Sequence, residues 1–338
     1  MNCIVTGAAG FIGSHVAELL VGGGHRVLGI DDLTGAQKEN VPAGVHFEQR
    51  ECSRPLDDLF KSFQPDAVYH LAAYAAEGLS HHIPAFNFAN NVVATANVLA
   101  ASYKAKARHF VFTSSIAAYG HPHDVKVFDE STPCHPCDPY GIAKLACEQH
   151  IRAFRDYYGG PDFSIFRPHN VFGPRQNISD PYRNVVGIFM RCALQKQAMP
   201  VFGDGTQTRS FSYIDTVSRC VADAPMTPAA KNQTFNVGGD EPMAVKDLAV
   251  AISQVMDVPV NVEHLPSRQE VMHAHCTHDA VRAAFPHAYA KPIDIMTGLR
   301  LMADYVKNHP IPPATECPSP IEIAERLPPS WAKRLLKN

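Results

Sequence analysis

The sequence predicts a doubly wound α/β fold, in which helices cover both faces of a parallel sheet. Three observations favour this class. Short apolar runs typical of buried strands alternate with helical segments along the first half of the chain. A glycine-rich turn follows the first of these runs, and a carboxylate follows the second. Ligands of such sheets bind at the carboxyl ends of the strands, so the residues at those ends form the candidate site.

The first predicted strand covers residues 2–6 and leads into Gly7, Gly10 and Gly13, with a helix following from Ser14 to Val21. Small residues let the backbone approach a pyrophosphate, and the helix N-terminus offers it N–H groups and the positive end of a dipole. The spacing is G-x-x-G-x-x-G rather than the commoner G-x-G-x-x-G. The order of strand, glycines and helix therefore carries the prediction of a dinucleotide site.

The second predicted strand runs from Arg26 to Ile30 and ends at Asp31 and Asp32. Asp31 lies about twenty residues past the glycines, where a carboxylate accepts the adenosine ribose hydroxyls. Its charge would repel a 2′-phosphate, so the sequence favours NAD over NADP. The alternative for Asp31 alone is a turn or N-cap residue.

The alternation continues, which predicts a Rossmann-like sheet. The further predicted strands are Val45 to Gln49, Ala67 to Ala73, Phe110 to Ser114 and Phe163 to Arg167. The further predicted helices are Pro55 to Phe63, Asn87 to Tyr103 and Tyr140 to Tyr157.

From about Val171 the alternation of strands and helices becomes less regular, and glycine and proline become more frequent. We therefore expect an NAD-binding domain over 1–170, a smaller mixed α/β substrate domain over 171–307 with the chain crossing between the two, and a Pro-rich C-terminal arm over 308–338. The elements predicted here are helices over Asn184 to Lys196, Val245 to Met256 and Ile321 to Leu327, and strands near Val201 to Phe211 and Phe235 to Gly239.

A proton-transfer constellation is the interpretation of the stretch around Ser115, Tyr140 and Lys144. The strand that begins at Phe110 ends on hydroxyls, and Pro139 suits the first turn of a helix. Tyr140 and Lys144 would then lie on one face of that helix. A Tyr-x-x-x-Lys pair alone is more often a solvated helix face, so the interpretation depends on the rest of the chain.

Composition excludes several function classes. The formal net charge of -3 does not indicate the strongly basic surface that is typical of nucleic-acid-binding proteins. No run approaches the ~18 apolar residues of a membrane span, and the start of the chain lacks the features of a signal peptide. We therefore expect a cytoplasmic protein without a membrane partner. The nine scattered cysteines suit reduced thiols. The Cys134-x-x-Cys137 pair lacks a second ligand pair, so no metal is predicted.

Together these motifs resemble the extended short-chain dehydrogenase/reductases, most closely the nucleotide-sugar 4-epimerases of the UDP-glucose 4-epimerase type. The likeness extends from residue 2 to about residue 300. It depends on the glycines, on Asp31 and on the Tyr140/Lys144 pair. It also depends on five stretches, which are His70 to Ala73, Asn90-Asn91-Val92, Thr113 to Gly120, Arg167 to Asn170, and Phe202 to Phe211.

The resemblance implies tightly bound, recycled NAD and a UDP-sugar substrate. The implied cofactor-binding residues are Gly7, Gly10, Phe11, Ile12, Gly13, Asp31, Asp32, Glu51, Cys52, Leu71, Ala72, Ala73, Asn91, Tyr140, Lys144 and Pro168. The implied substrate-binding residues are Ser115, Asn170, Asn184, Phe202, Arg209, Arg268, Glu270 and Ala274. Arg209 and Arg268 would bind the two phosphates, because guanidinium matches phosphate oxygens with paired donors. A homodimer formed through two helices per subunit is also implied.

The implied chemistry is inversion at C4 of the sugar. Tyr140 is the expected base, its pKa lowered by Lys144 and by the positive nicotinamide ring, while Ser115 hydrogen-bonds the 4-oxygen. Hydride passes to NAD and returns on the other face of the 4-keto sugar. A small Ala274 would admit N-acetylated sugars.

Alternatives remain within and outside this chemistry. Dehydratases and decarboxylases of the family place acidic residues where this chain has Ile116 and Ala117, which disfavours both. A UDP-glucuronate 4-epimerase, or a decarboxylase with an unusual site, is the alternative in the same family. A net dehydrogenase would consume added cofactor, and a non-catalytic NAD-binding sensor or scaffold is the alternative from another class.

Overall fold

The structure is a computed structural model that describes residues 1–120, 127–267, 272–311, 317 and 319–335. The strands, numbered in chain order, are β1 Asn2–Thr6, β2 Arg26–Asp31, β3 Val45–Gln49, β4 Ala67–His70, β5 His109–Thr113, β6 Asp162–Pro168, β7 Val171–Phe172, β8 Met199–Phe202, β9 Thr208–Ser210, β10 Ser212–Tyr213, β11 Gln233–Val237, β12 Pro242–Ala244, β13 Val262–Leu265 and β14 His273–Ala274. The α-helices are α1 Phe11–Gly22, α2 Asp57–Phe63, α3 Glu77–Ser80, α4 Pro84–Phe88, α5 Ala94–Lys104, α6 Pro139–Tyr158, α7 Val185–Leu194, α8 Ile214–Asp223, α9 Val245–Met256, α10 Asp279–Ala284, α11 Ile295–Asn308 and α12 Pro329–Leu335.

Seven parallel strands form the main sheet, in the order β11-β6-β5-β4-β1-β2-β3. The chain winds outward from β1 to β3, then returns to the other side of β1 at β4 and winds the opposite way. This reversal makes the crevice between β1 and β4 the topological switch point, where doubly wound sheets bind their ligands. The predicted doubly wound parallel sheet is confirmed.

Apolar side chains cover both faces of this sheet. Neighbouring residues on β1 point to opposite faces: Val5 packs in one core cluster with Val16 of α1, whereas Ile4 packs in a second cluster with Val98 of α5. Strands buried on both faces read as continuous apolar runs, which is why the sequence pattern identified them.

The strand at 233–237 lies elsewhere than expected. The sequence interpretation assigned it to the smaller domain, whereas β11 pairs in parallel with β6 at the edge of the main sheet. The rest of the C-terminal half contains small sheets, in which β8 pairs with β13, and β9 pairs with β12 and β14. Helices α7, α9 and α11 pack together beside them. No helix in the described ranges is long and apolar enough to cross a bilayer.

The predicted helix over Ile321 to Leu327 is wrong. This segment bonds to the α4 region instead: the Glu322 carboxylate accepts hydrogen bonds from the backbone N–H groups of Ala85 (2.8 Å) and Phe86 (3.0 Å). The helix begins later, at α12. There Trp331 packs edge-on against Tyr182, with 5.2 Å between ring centroids, so the described part of the C-terminal arm is packed against the body.

Candidate active site

The glycine turn after β1 brings backbone close to backbone. Gly7 has φ +74°, and a Cβ built on it would lie 2.8 Å from the Ala72 nitrogen. A Cβ on Gly13 would lie 1.9 Å from the Gly7 oxygen, so only glycine fits there. Helix α1 follows with Gly10 as N-cap and no side-chain cap, which leaves its first N–H groups to a ligand. Such a cradle fits a dinucleotide pyrophosphate.

Asp31 ends β2 beside this turn. Its carboxylate accepts hydrogen bonds from the backbone N–H of Ala9 (3.1 Å) and of Leu33 (2.8 Å), which fix its orientation. Burial raises its pKa, and these backbone hydrogen bonds oppose the rise. Each oxygen keeps a further lone pair that could accept a ribose hydroxyl. The neighbouring Asp32 accepts from the Thr34 N–H at 2.8 Å.

The segment after β4 is tied to the end of β1. Thr6 Oγ1 accepts from the N–H groups of both Leu71 and Ala72 at 3.2 Å, and it lies 2.8 Å from His70 Nδ1. The predicted cofactor contacts at 71–73 are therefore fixed beside the glycine turn.

Asn91 presents a buried acceptor to this region. Its Nδ2 donates to the Asn87 carbonyl (2.9 Å), whereas its Oδ1 has no hydrogen-bond partner among the described residues. Asn91 lies in a π-helical turn, Ala89–Val93, a feature frequent at functional sites. An unpaired buried acceptor is costly, which suits the predicted contact with a cofactor hydroxyl or amide.

Two other predicted cofactor residues differ in their surroundings. Cys52 is buried beside Thr6 and the Asp31 carboxylate, and burial raises its thiol pKa to about 12. Glu51 is exposed and accepts hydrogen bonds from Ser53 and Arg54. The backbone N–H of the preceding Arg50 donates to the Asp31 carbonyl at 3.1 Å, so Glu51 lies in the chain next to the end of β2.

The start of α6 brings Tyr140 against the end of β5. Asp138 caps the helix by accepting from the Gly141 N–H at 2.9 Å. A Cβ on Gly141 would lie 2.5 Å from the Ala117 oxygen, so glycine permits the helix to touch the turn after Ser115. The Ser115 side chain is thereby brought close to the phenol of Tyr140, whose pKa it lowers.

Lys144 lies one helical turn behind Tyr140 and is buried. Its Nζ donates to the Thr113 carbonyl at 2.8 Å and lies 5.8 Å from the centroid of the Tyr140 ring. Burial lowers the pKa of Lys144 to about 8. The three predicted catalytic residues therefore meet at the carboxyl end of β5.

In the protein without its cofactor the pKa of Tyr140 lies above its ordinary value, and the lowering expected from Lys144 together with the nicotinamide ring stays a prediction. Burial raises the pKa of the phenol, and the nearby Ser115 side chain opposes this only in part. The phenolate loses more hydration in this packed position than the surrounding side chains restore.

The Pro168 to Asn170 turn places two predicted residues near the centre of the site. Pro168 ends β6, and Asn170 adopts φ +43° with its Nδ2 donating to the Ser210 carbonyl at 3.0 Å. Between them His169 is buried with Nε2 2.8 Å from His278 Nε2. Burial lowers the His169 pKa to about 3.

Asn184 has structural partners for both ends of its amide. Its Oδ1 caps α7 by accepting from the Val186 N–H (2.9 Å), and its Nδ2 donates to the Val171 carbonyl (2.7 Å). Its predicted contact with the sugar diphosphate stays a prediction.

The other predicted substrate residues lie in the C-terminal half. Phe202 ends β8, and Arg209 in β9 donates from Nη1 to the Thr208 carbonyl (2.8 Å). Arg268 and Glu270 lie outside the described residues. Ala274 belongs to β14, whose backbone pairs with β9 at Arg209.

Sequence reasoning missed three residues of this region. Arg183 stacks its guanidinium 4.8 Å over the Tyr74 ring, and Ser80 Oγ accepts from the Tyr140 N–H at 3.2 Å. None belongs to a spacing motif, and the only signal for Arg183 was its position next to Asn184.

The Cys134 and Cys137 thiols are both free in the structure, as are the other seven cysteines. Within the described ranges no group of three or more His, Cys, Asp or Glu side chains is arranged to hold a metal ion.

Comparisons with known proteins agree with this site. A profile of the NAD dependent epimerase/dehydratase family matches residues 3–238. The UDP-glucose 4-epimerase of Mycolicibacterium smegmatis is 35% identical over 277 residues, 79% of this chain and 87% of that protein. UDP-glucuronic acid decarboxylase 1 of Arabidopsis thaliana is 30% identical over 81% of this chain and 62% of its own length.

A solved structure shows the same fold. The crystal structure of a UDP-glucose 4-epimerase from Thermotoga maritima with UDP-glucose is 29% identical, has a TM-score of 0.85, and matches 91% of this chain and 99% of that one. Together with the glycine cradle and Asp31, these likenesses identify the chain as a member of the NAD-dependent epimerase/dehydratase family of extended short-chain dehydrogenase/reductases, with NAD as its cofactor.

Proposed function

We propose that the protein is an NAD-dependent 4-epimerase of UDP-hexoses that interconverts UDP-glucose and UDP-galactose. The observation that carries the proposal is that the start of α6 packs Tyr140 against the turn after Ser115 at the end of β5, with the Lys144 ammonium 5.8 Å from the centroid of the Tyr140 ring. When bound, NAD supplies a reversible two-electron oxidation at the sugar carbon.

The side chains of the chain itself would move the proton. Tyr140 takes the proton of the C4 hydroxyl and returns it after the sugar has turned, and Ser115 hydrogen-bonds the same oxygen. Because burial disfavours the phenolate, Tyr140 needs positive charge nearby. Lys144 supplies it from the helix side, and the nicotinamide ring adds to it.

The cofactor would be held by the residues already described. The glycine turn and the start of α1 hold the pyrophosphate, Asp31 holds the adenosine ribose, and Lys144 holds the nicotinamide ribose. Phe202 lies against the uracil, and the arginines Arg209 and Arg268 hold the diphosphate of the substrate.

Two features bear on which sugars are accepted. The relative from Thermotoga maritima was solved with UDP-glucose, which favours a UDP-sugar. Ala274 is small, and by the family resemblance a small residue there admits an N-acetyl group, so UDP-GlcNAc and UDP-GalNAc belong to the proposed substrates.

A UDP-glucuronate decarboxylase or 4-epimerase is the second candidate, since one relative is a UDP-glucuronic acid decarboxylase. The turn after Ser115 argues against decarboxylation. By the family resemblance, decarboxylases carry a glutamate in this turn, and here Ile116 and Ala117 stand in the 3₁₀ turn that follows the serine.

The deciding experiment incubates the purified protein with UDP-, GDP- and dTDP-sugars, UDP-glucuronate included, without added cofactor. Proton NMR would show inversion at C4 of UDP-hexoses. Loss of carbon dioxide from UDP-glucuronate, or stoichiometric consumption of added NAD, would contradict the proposal.

Tyr140→Phe should retain bound NAD but lose turnover by about 10²-fold or more, the usual contribution of a general acid–base group. Tyr305→Phe is the matched control, because Tyr305 lies on α11 and stacks on His309. Near-normal turnover in Tyr140→Phe would remove the base assignment.

A further inference from the structure

Residues 173–184, here called the crossing segment, run across the mouth of the cofactor crevice. The Pro174 carbonyl lies 3.0 Å from His15 Nε2 of α1, and Arg175 forms an ion pair with Glu18 of the same helix. Asn40 Nδ2 bonds to the carbonyls of both Arg175 (3.3 Å) and Ala9 in the glycine turn (3.2 Å). One amide thus joins the crossing segment to the predicted pyrophosphate cradle.

Arg183 extends this bridge from the far end of the segment. A Cβ built on Gly35 would lie 2.5 Å from Arg183 Nη2, and the guanidinium carbon lies 4.8 Å over the Tyr74 ring. Gly35 follows β2 and Tyr74 follows β4. These two strands flank β1 in the sheet, so the guanidinium spans the carboxyl end of β1, where the glycine turn lies.

The guanidinium has donors to spare. Asp180, which is buried, forms an ion pair with Arg183 Nε at 2.9 Å and is itself held by the Tyr182 N–H at 2.9 Å. The Nε–H is buried without a hydrogen bond to any described residue, because the ion pair lacks hydrogen-bond geometry. A guanidinium carries five N–H donors in a fork that matches phosphate oxygens.

The positive charge acts on the crevice rather than on the outer surface. Arg183 is among the groups that lower the pKa of Tyr140, opposing the effect of burial. The Arg183 charge therefore acts on the nicotinamide end of the predicted site and on the loop beyond Asp31. A bound dinucleotide would extend between these two places.

We propose that Arg183 retains the cofactor: its guanidinium binds the NAD diphosphate from the open side of the crevice, opposite the N-terminus of α1. The crossing segment then has to move before NAD can leave. The packing of Trp331 on Tyr182 holds the segment from outside, so the C-terminal arm supports the same closure. The proposal depends on the family's cofactor and is independent of the proposed sugar reaction.

The test measures NAD retention without any sugar. Wild type, Arg183→Met, Arg183→Lys and Arg219→Ala are purified identically. NAD released on denaturation is quantified per chain, and its dissociation from the native proteins is followed after dilution into an NAD-consuming trap. Arg219 is the matched control, because it pairs with Asp215 at the surface.

Arg183→Met should release NAD at least about tenfold faster, as expected for the loss of charge-assisted hydrogen bonds. Arg183→Lys keeps a cation for Asp180 but lacks the fork, so it should fold and release NAD several-fold faster. Arg219→Ala should match wild type. Dissociation unchanged in Arg183→Lys, and in Arg183→Met if that variant folds, overturns the proposal.

The diphosphate of a UDP-sugar substrate is the other group whose oxygens would match the Arg183 guanidinium. Calorimetry with UDP on the NAD-loaded variants separates the two. Unchanged UDP affinity with faster NAD release supports cofactor retention. Weakened UDP binding with unchanged NAD release assigns Arg183 to the substrate and contradicts the proposal.

Discussion

Burial acts in opposite directions on the pKa values of Tyr140 and Lys144. Removal from water disfavours the charged form of each side chain, so the pKa of the phenol rises and that of the ammonium falls to about 8. Two neighbouring groups are thereby brought toward their neutral forms, which is costly for the fold and useful for proton transfer. Such a site is expected to be less stable than an apolar replacement.

Lys144 should make stability depend on pH in a defined window. Its folded pKa of about 8 lies below the ordinary 10.5. Between these values the unfolded chain binds more protons, so the free energy of unfolding rises with pH. Below pH 8 the cost of burying the charge is present in full. Lys144→Met should therefore be more stable than wild type at pH 7, by about 1–3 kcal/mol, and the difference should shrink by pH 9.5.

Urea unfolding at the two pH values measures this difference. Lys104→Met is the control, because Lys104 is exposed and pairs with Asp57 at the surface. A Lys144→Met variant that is destabilised equally at pH 7 and 9.5 would show that the ammonium carries no burial cost.

Residues inside motifs could be predicted from the sequence, and residues joined only by the fold could not. Ser115, Tyr140 and Lys144 have fixed positions relative to one strand end and one helix face. Arg183 meets Gly35 and Tyr74 across more than a hundred residues, and no periodicity encodes that meeting. Asparagine is a preferred N-cap, so its place at the start of the predicted helix was consistent with capping α7, but the hydrogen bond from Asn184 Nδ2 to the Val171 carbonyl is a tertiary contact that the local pattern does not encode.

Helix α6 is the element that joins the chemistry to the sheet. Tyr140, Lys144 and Glu148 recur at intervals of four along its inner face. Glu148 is fully buried and receives two hydrogen bonds from Arg167 of β6, at 2.8 and 2.7 Å. Burial raises the pKa of Glu148, but the bonds and charge of Arg167 outweigh it and lower the pKa overall.

Arg167→Met should destabilise the protein by about 3–5 kcal/mol, since it leaves a buried carboxylate without its main partner. Arg152, at 3.2 Å from Glu148, remains and places the expected cost toward the lower figure. Replacing both partners, Arg167→Met with Glu148→Met, should recover most of the loss because no buried charge is left unpaired, Arg152 being partly exposed to solvent. Denaturant unfolding of the three proteins measures this, and a double variant as unstable as the single one would contradict it.

Helices and strands could be predicted where apolar residues recur with a regular period. The predictions differ from the structure where other interactions determine the backbone conformation. The predicted helix from Asn87 to Tyr103 contains the π-helical turn Ala89–Val93, and five residues are too few for a period near 3.6 to reveal it. The wrong helix at Ile321 has the same kind of cause, because the Glu322 carboxylate caps α4. Such a tertiary hydrogen bond is invisible in the local pattern.

At the scale of the whole molecule, the crevice is built by parts of the chain that lie far apart in sequence. The glycine turn and the crossing segment meet at the carboxyl end of the sheet, the C-terminal arm packs on the crossing segment, and β11 returns to that sheet after residue 230. The composition change near Val171 coincides with the point where the chain leaves the main sheet after β6, but nothing in it reveals that β11 returns to that sheet. The amino-acid composition of a segment reflects its local packing, whereas the return of a strand to the sheet depends on long-range contacts.

The outer faces of α5 and α6 carry exposed aromatic side chains. Tyr103, Phe154 and Tyr158 form a cluster of rings with centroids 4.5–5.5 Å apart, and Tyr157 lies beside it with 82% of its surface exposed. Exposed aromatic groups of this kind mark interfaces. A two-fold interface places the same patch on both subunits, so these helices suit self-association.

We expect a homodimer of 37.0 kDa chains through this face, and Tyr157→Ser with Tyr158→Ser should convert it to monomer in light scattering coupled to size exclusion. At a two-fold interface each residue makes its contact twice, once from each subunit, so replacing two tyrosines removes four sets of contacts. We therefore expect the double change to suffice. Val250→Ser is the control, because Val250 is exposed on α9, outside the aromatic cluster. A wild type that is monomeric at micromolar concentration, or a double variant that stays dimeric, would show that α5 and α6 do not form the interface.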